Sequence, residues 1–223
     1  MSVGAGILVR MNDDAFWALI DELSRRTGDR DERLEWLREE LLRRPAAESV
    51  EFQVWLERAT ERADTRAVWA AANRIEGGHC TDDGFHYFTL WLVGQGRKAY
   101  ESVLADPDAL ADLPGVRALV GRHEDEWDDD EWPEWEELDY VAQDAWDELT
   151  GQEGDDGEEF LDAVEEAEDA AEAAGEWEEG ERSRGPGRRG WRCPGSPPSS
   201  PSVPPAPRRG AQGLSGPDAP DGP

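Results

Sequence analysis

Lysine is nearly absent from this chain. Lys98 is the only lysine among its 23 basic residues, and these face 53 Asp and Glu residues, for a formal net charge of -30. Residues 182–223 contain seven Arg and two Asp, so residues 1–181 alone carry -35. Proteins bind nucleic acid and anionic lipid by neutralising phosphates with Lys and Arg. We therefore expect the folded part of the chain to bind neither nucleic acid nor a membrane directly.

Cysteine and long apolar runs are also scarce. The two cysteines, Cys80 and Cys193, are too few for a disulfide framework, which suits a reducing compartment. The longest early apolar run, residues 7–9, is too short for a signal peptide or a membrane span. These absences predict a cytoplasmic protein.

No stretch of the chain alternates polar and apolar residues with the period of a strand. Apolar residues instead recur at helical spacing between clear start and stop signals. The first such stretch has Asn12 as its N-cap, Phe16 on its apolar face and Gly28 after its end, and Asp29 is the expected cap of the next stretch. The same combination repeats along residues 11–151, and it predicts an all-α fold, a single compact domain of about seven to nine short helices.

The two ends of the chain lack a core-forming pattern. Residues 1–10 are predicted to be a flexible leader, with Met11 as an alternative to Met1 for the start of translation. Residues 182–223 hold eleven of the 15 prolines, with Gly, Ser and Arg making up most of the rest. Such a composition does not bury enough apolar surface to fold, so we expect a disordered tail there.

Residues 152–181 are strongly acidic, yet apolar side chains such as Phe160 and Val164 recur in them at helical spacing. Like charges four residues apart, for example Asp162 and Glu166, each cost a helix a few tenths of a kcal/mol. We expect this acidic segment to fray as an isolated helix and to become ordered against a basic partner.

Three blocks of the sequence resemble a bacterial family of uncharacterised domains. The blocks are Phe16-Trp17-x-Leu19-Ile20, then Gly77-Gly78 with Asp82-Asp83-Gly84-Phe85-x-Tyr87-Phe88-x-x-Trp91-Leu92-Val93, and then Gly96-Arg97-x-x-Tyr100 with Asp106-Pro107-Asp108. In order and spacing they are similar to the domain of unknown function family number 4240, over residues 11–151. The resemblance implies a fold and no particular reaction.

The stretch from residue 79 to residue 86 brings together side chains that ligate zinc: His79, Cys80, Asp82 and His86. On a helix, Asp82 and His86 lie one turn apart, which is the minimal geometry for two ligands. The paired Cys and His spacers of a structural zinc site are missing. These four residues are therefore weak metal candidates, and no cofactor is predicted.

The same stretch has a purely structural interpretation. Gly77 and Gly78 end one helix, and Thr81 or Asp82 caps the next. A nucleophilic Cys80 would need a base and an orienting group that converge on it, and neighbours in sequence rarely do so. We therefore interpret the block as a junction that leads into a buried aromatic helix, and we predict no catalytic residue.

Residues 94–98 place two cations, Arg97 and Lys98, directly after a Gly-Gln-Gly turn. Backbone amides at a helix start favour an anion, but the spacing of a phosphate-binding loop is absent. We interpret the glycines as a tight turn between helices and keep Arg97 as a weak contact for an anion or a carboxylate.

Residues 123–139, HEDEWDDDEWPEWEELD, contain eleven carboxylates with Trp127, Trp132 and Trp135 between them. A calcium loop is excluded because its ligand spacing and its glycine are missing. Tryptophans on a charged surface are typical anchors of a protein interface, and the alternative is a solvated loop whose tryptophans fold back on the helices. We favour contact and predict the three tryptophans as interaction residues.

These observations favour a non-enzymatic, acidic interaction or regulatory protein that binds a basic protein partner. The alternative is a small enzyme, or a metal- or ligand-binding protein, that works through residues 79–86 and 94–98.

Overall fold

The computed structural model describes residues 11–152 and 157–174. Within these residues the chain forms nine α-helices and no strand, which confirms the predicted all-α fold. The helices are α1 (Asp13–Arg25), α2 (Arg30–Leu42), α3 (Ala46–Ala63), α4 (Arg66–Ile75), α5 (Asp82–Val93), α6 (Arg97–Ala105), α7 (Pro114–Leu119), α8 (Val141–Thr150) and α9 (Glu158–Ala173). Short 3-10 turns connect α6 to α7 and α7 to α8. None of the described helices combines the length and apolarity needed to cross a bilayer.

Side-chain caps open the helices where the sequence predicts them. Asn12 Oδ1 accepts a hydrogen bond from the Ala15 amide at 2.9 Å, and Asp29 Oδ1 accepts from the Glu32 amide at 2.9 Å. Thr81 caps α5 in the same way. Each cap satisfies an amide that the helix itself leaves unbonded, so local sequence is enough to set these three helix starts.

Helix α3 is the centre of the domain, and α1, α2, α5, α8 and α9 pack around it. Aromatic side chains join the layers. Phe16 of α1 lies on Phe52 of α3, with ring centroids 5.2 Å apart. Tyr100 of α6 is fully buried and its hydroxyl donates to the Ala59 carbonyl of α3 at 2.7 Å. Such rings remove the largest apolar areas from water, which makes this centre a rigid support for the surface loops.

Helix α5 is buried over most of its surface, as its aromatic content predicts. Phe85, Phe88 and Leu92 are fully buried, and the Phe85 and Phe88 ring centroids are 6.1 Å apart. Thr89 is also fully buried, and its hydroxyl donates to the His86 carbonyl at 2.7 Å. The helix therefore provides a fixed wall against which the loops at its two ends are positioned.

Helix α9 packs against α3 and α8. Phe160 and Val164 are buried, and the Phe160 ring centroid lies 5.7 Å from that of Trp146 on α8. The predicted fraying of residues 152–181 applied to an isolated helix. Burial stabilises by about 25 cal/mol per Å² of apolar surface, which outweighs a few tenths of a kcal/mol for each like-charged pair. The described part of residues 152–181 is thus ordered by the chain's own domain.

Several predicted features lie outside the described residues. They are the flexible leader, the remaining parts of the acidic segment, and the disordered tail, which fall on residues 1–10, 153–156, 175–181 and 182–223.

Candidate functional site

Trp135 fastens the 123–139 segment to the domain. It is only 1% exposed, its amide donates to the Tyr87 carbonyl of α5 at 3.0 Å, and the Arg33 guanidinium carbon lies 4.6 Å from the centre of its ring. The indole occupies the space over Gly94, where a β-carbon would come within 2.6 Å of two ring atoms. This placement corrects the prediction of Trp135 as a surface contact, because the side chain is a buried anchor.

Arg30, at the start of α2, is a second anchor of the segment. Its Nη1 donates to the Glu134 carbonyl at 2.7 Å, and its Nη2 donates to the carbonyls of Asp130 at 2.6 Å and Trp132 at 2.5 Å. Burial lowers the pKa of Arg30, and the charges of Glu137, Asp130 and Glu134 oppose that shift. Hydrogen bonds from a charged donor are among the stronger ones in proteins, so the backbone of the segment is held firmly against α2.

Two further contacts stabilise the first half of the segment. Arg122 and Glu131 form a bidentate ion pair with both N···O distances at 2.6 Å. The hydrogen bonds from Arg122 and from the Asp128 amide lower the pKa of Glu131 to about 2. Trp127 and Trp132, both half-buried, meet edge to face with ring centroids 4.8 Å apart. The two tryptophans thus support each other at the surface.

An open cleft of about 410 Å³ lies between the 123–139 segment and the helices α2 and α5. It is lined by Arg30, Tyr87, Asp129, Trp132, Glu134, Glu136 and Glu137. The lining therefore contains four carboxylates and one guanidinium, that of Arg30. This guanidinium donates three hydrogen bonds to backbone carbonyls. Aromatic rings beside uncompensated carboxylates form the kind of site that binds a cation.

Glu136 is held in position at the edge of this cleft by two tyrosines. The Tyr140 hydroxyl donates to Glu136 Oε1 at 3.0 Å, and the Tyr87 hydroxyl also bonds to this carboxylate. Desolvation, with the hydrogen bond to Glu136, raises the pKa of Tyr87 to about 12. The Tyr87 hydroxyl therefore stays protonated at neutral pH, and the two hydroxyls together orient an exposed carboxylate.

Several other carboxylates of the segment are exposed and have no ion-pair partner within 4.0 Å among the residues that the structure describes. They are Asp128, Asp129, Asp130 and Glu137. Since their backbone is fixed by Arg30 and Trp135, these charges form a surface of defined shape.

The metal candidates of the 79–86 stretch do not converge. His79 is exposed, with Nε2 3.7 Å from Glu124 Oε1, whereas His86 Nε2 lies 3.3 Å from Asp139 Oδ2. Cys80 Sγ donates weakly to the carbonyl of the next residue at 3.7 Å, and Asp82 lies in the first turn of α5. Across the described ranges, no group of three or more His, Cys, Asp and Glu side chains has the arrangement of a metal site.

Arg97 contacts carboxylates of its own domain. Its guanidinium lies 2.8 Å from Asp13 Oδ2, 3.0 Å from Asp14 Oδ1 and 2.8 Å from Glu101 Oε1. Its amide donates to Asp21 Oδ1 at 2.8 Å. The hydrogen bonds to Glu101 and Asp14 raise the pKa of Arg97. Residues 94–98 therefore join α1 to α6 by ion pairs.

Glu76 is not among the predicted site residues, but the structure singles it out. The residue caps the C-terminal end of α4 and is 3% exposed, and within the described part of the chain its Oε1 atom has no hydrogen-bond partner. Burial raises the pKa of Glu76 to about 7; a hydrogen bond with Cys80 opposes this shift, and the nearby carboxylates of Glu134 and Glu124 add to it. It is a buried acid that connects the 79–86 stretch to the 123–139 segment.

Residues 11–148 match a known protein family, described as "Protein of unknown function (DUF4240)". No curated protein and no solved structure matches the chain. The matched residues include the 123–139 segment and its cleft, and they end before α9. The match confirms the resemblance seen in the sequence blocks, and the chain therefore belongs to the DUF4240 family.

Proposed function

We propose that this protein is a non-enzymatic, acidic cytoplasmic interaction protein that regulates a basic protein partner by binding it at the 123–139 segment. The observation that carries the proposal is the cleft beside this segment, where two aromatic walls meet four carboxylates. Residues 1–181 together carry a charge of -35, so the acidity is not confined to the cleft. The negative electrostatic field of such a protein accelerates its encounter with a basic surface.

The rigidity of the segment supports this proposal. Binding is weakened when side chains and loops must be ordered at the interface. Here Trp135 and Arg30 fix the backbone, and the Tyr140 hydroxyl orients the Glu136 carboxylate. The conformational entropy of the segment is therefore already lost when the protein folds. Its ordering does not subtract from the free energy of binding to the partner.

The cleft suits a lysine or arginine side chain of the partner. Tyr87 and Trp132 offer ring surface to a cation, which contributes about 0.5–2 kcal/mol for such a contact. Glu136 and Glu137 offer carboxylate oxygens at the same opening. Arg30 also lines the cleft, but its Nη1 and Nη2 donate to backbone carbonyls. Four carboxylates against this one guanidinium leave the lining with a net negative charge.

Binding of a fluorescein-labelled arginine-rich peptide, followed by anisotropy at low and high salt, tests the proposal. The triple variant Asp129→Asn, Glu136→Gln, Glu137→Gln removes three charges from the cleft. We expect it to weaken binding about tenfold, equivalent to roughly 1.4 kcal/mol, and to reduce the salt dependence because fewer ion pairs form.

The matched control removes the same amount of charge elsewhere. Asp162→Asn, Glu165→Gln and Glu166→Gln neutralise three exposed carboxylates on α9. We expect this variant to bind almost as tightly as the wild type. Equal losses in both triple variants would show that net charge alone attracts the peptide, and that result, or wild-type binding that salt does not weaken, would overturn the proposal.

A further inference from the structure

Glu76 occupies an unusual position for a carboxyl group. It is 3% exposed, and its Oε1 atom is enclosed without a hydrogen-bond partner among the residues that the structure describes. A buried carboxyl group that no cation compensates is strongly disfavoured in its charged form. The protein nevertheless keeps this acid at the end of α4, directly before the loop that leads to α5.

Two other carboxylates face Glu76 from the 123–139 segment. Glu134 and Glu76 both lie over Gly84. A β-carbon on this glycine would be 3.1 Å from Glu134 Oε1 and 4.0 Å from Glu76 Oε2. Glu124 lies against Gly77, the residue that follows Glu76. Gly77 lies in the α4–α5 loop and Gly84 in the first turn of α5, and the missing side chains let Glu124 and Glu134 approach the backbone closely at these two points.

The remaining charged or titratable groups around these acids are few. Cys80 bonds to Glu76, His79 lies 3.7 Å from Glu124, and the positive charge of Arg30 acts on Glu134. None of these is an ion pair to Glu76 itself. When Glu76 is ionised, it therefore meets two like charges across a desolvated contact, and the repulsion between them acts on the segment.

We propose that Glu76 is a proton-operated switch that sets how tightly the 123–139 segment lies against the α4–α5 loop. With a proton on Glu76, the carboxyl group is neutral and the segment stays closed on the loop. Loss of the proton introduces a buried charge that repels Glu124 and Glu134, and the segment loosens at these two points while Trp135 and Arg30 keep it attached.

The direction of the pH dependence follows from burial. The ordinary pKa of a glutamate is 4.5, and burial raises the pKa of Glu76 to about 7. Below pH 7 the folded protein keeps the proton and the segment is closed. Above pH 7 the proton leaves and the segment opens locally. The switch does not depend on the identity of any partner, so it holds or fails separately from the proposed function.

Hydrogen exchange of the full chain, measured by mass spectrometry between pH 6 and pH 8.5 and corrected for intrinsic rates, tests the switch. In the wild type we expect the protection of amides in residues 123–137 to fall about tenfold across this range, the change that one pKa unit of coupling gives. In Glu76→Gln, which is neutral at every pH, we expect protection to stay constant.

The control is Glu168→Gln, because burial also raises the pKa of Glu168 to about 7 but on α9. This variant should keep the wild-type loss of protection in residues 123–137. If Glu76→Gln does not fold, the double variant Glu124→Gln, Glu134→Gln removes the repelling partners and should also stay protected. A wild type without the pH effect, or a Glu76 variant that still shows it, would overturn the proposal.

Discussion

Gly94 and Trp135 are complementary in shape. A β-carbon at position 94 would lie 2.6 Å from each of two carbons, Cε3 and Cζ3, of the Trp135 ring, which is far inside van der Waals contact. Gly94 has an ordinary helical φ of -61°, so the requirement for glycine is steric and not conformational. The glycine that ends α5 is thereby matched to the tryptophan that anchors the 123–139 segment.

Gly94→Ala should lower the free energy of unfolding by about 1–3 kcal/mol, because the added methyl group overpacks the indole. Urea denaturation followed by circular dichroism measures this loss. The control is Gly115→Ala, where a β-carbon would lie 3.4 Å from the Trp91 ring, an ordinary contact. That variant should change stability by less than about 1 kcal/mol in either direction. An equally small effect at both positions would contradict the fit between Gly94 and Trp135.

Arg30→Met should detach the segment from α2, because it keeps the apolar stem and removes the donors to three carbonyls. We expect a loss of about 3 kcal/mol in the free energy of unfolding, with a change in near-ultraviolet circular dichroism from the tryptophans of the segment. Arg25→Met is the control, since it breaks only an exposed pair with Glu22 and should cost less than about 1 kcal/mol. Similar losses in the two variants would argue against Arg30 as an anchor.

Alanine variants of Trp135 and Trp132 should differ in their effects on stability and on peptide binding. Trp135→Ala should cost about 3–5 kcal/mol, as expected for a large side chain removed from a core. Trp132→Ala should cost less than half of that and should weaken binding of the arginine-rich peptide, because its half-buried ring lines the cleft. Thermal unfolding and anisotropy measure the two effects. Loss of peptide binding without loss of stability in Trp135→Ala would reverse these assignments.

Glu168→Gln should stabilise the protein above pH 7 and leave its stability unchanged below pH 4.5. Burial raises the pKa of Glu168 from 4.5 to about 7, Glu57 and Glu61 of α3 add to the shift, Arg58 opposes it and Asp169 raises it slightly. The folded state therefore holds a proton that the unfolded state releases between these pH values, and stability falls as pH rises through that window. For a partly solvated group we expect a gain of about 1 kcal/mol at pH 8.

The measurement for Glu168→Gln is the free energy of unfolding at pH 4 and pH 8. Asp162→Asn on the exposed face of α9 is its control, and that variant should show no pH-dependent gain. A Glu168→Gln gain that is as large at pH 4 as at pH 8 would rule out titration as the cause.

Local signals in the sequence were sufficient for the helices. Asn12, Asp29 and Thr81 cap the helices that their positions predict, because a cap depends on neighbours within one turn. The burial of α5 was predictable for the same reason, since apolar residues such as Phe85 and Leu92 cover more than one of its faces.

The tryptophans of the segment were not distinguishable in this way. Trp127, Trp132 and Trp135 have the same acidic surroundings in sequence, yet only Trp135 is buried. The difference comes from Gly94 and Arg33, which are remote in sequence and reach the indole only in the fold. The packing of α9 on α3 is likewise a contact between residues far apart in sequence, and helix propensity alone does not predict it.

Arg30 did leave a trace in the sequence. A cation at the first position of a helix opposes the helix dipole, where acidic residues are preferred, and this mismatch points to a contact outside the helix. Glu76 opposes the dipole at the C-terminal end of α4 in the same way, but its burial beside the 123–139 segment is visible only in the fold.

Arg30 binds carbonyl groups of residues 130, 132 and 134 and none of their side chains. Main-chain oxygens are present whatever the amino acid, so substitutions at the exposed positions 128, 129, 130 and 137 keep the acceptors of these hydrogen bonds. Natural variation or a directed library at these positions is free to alter the pattern of charge that the molecule presents. The groups that attach the segment to α2 are therefore different from the side chains that the segment exposes to solvent.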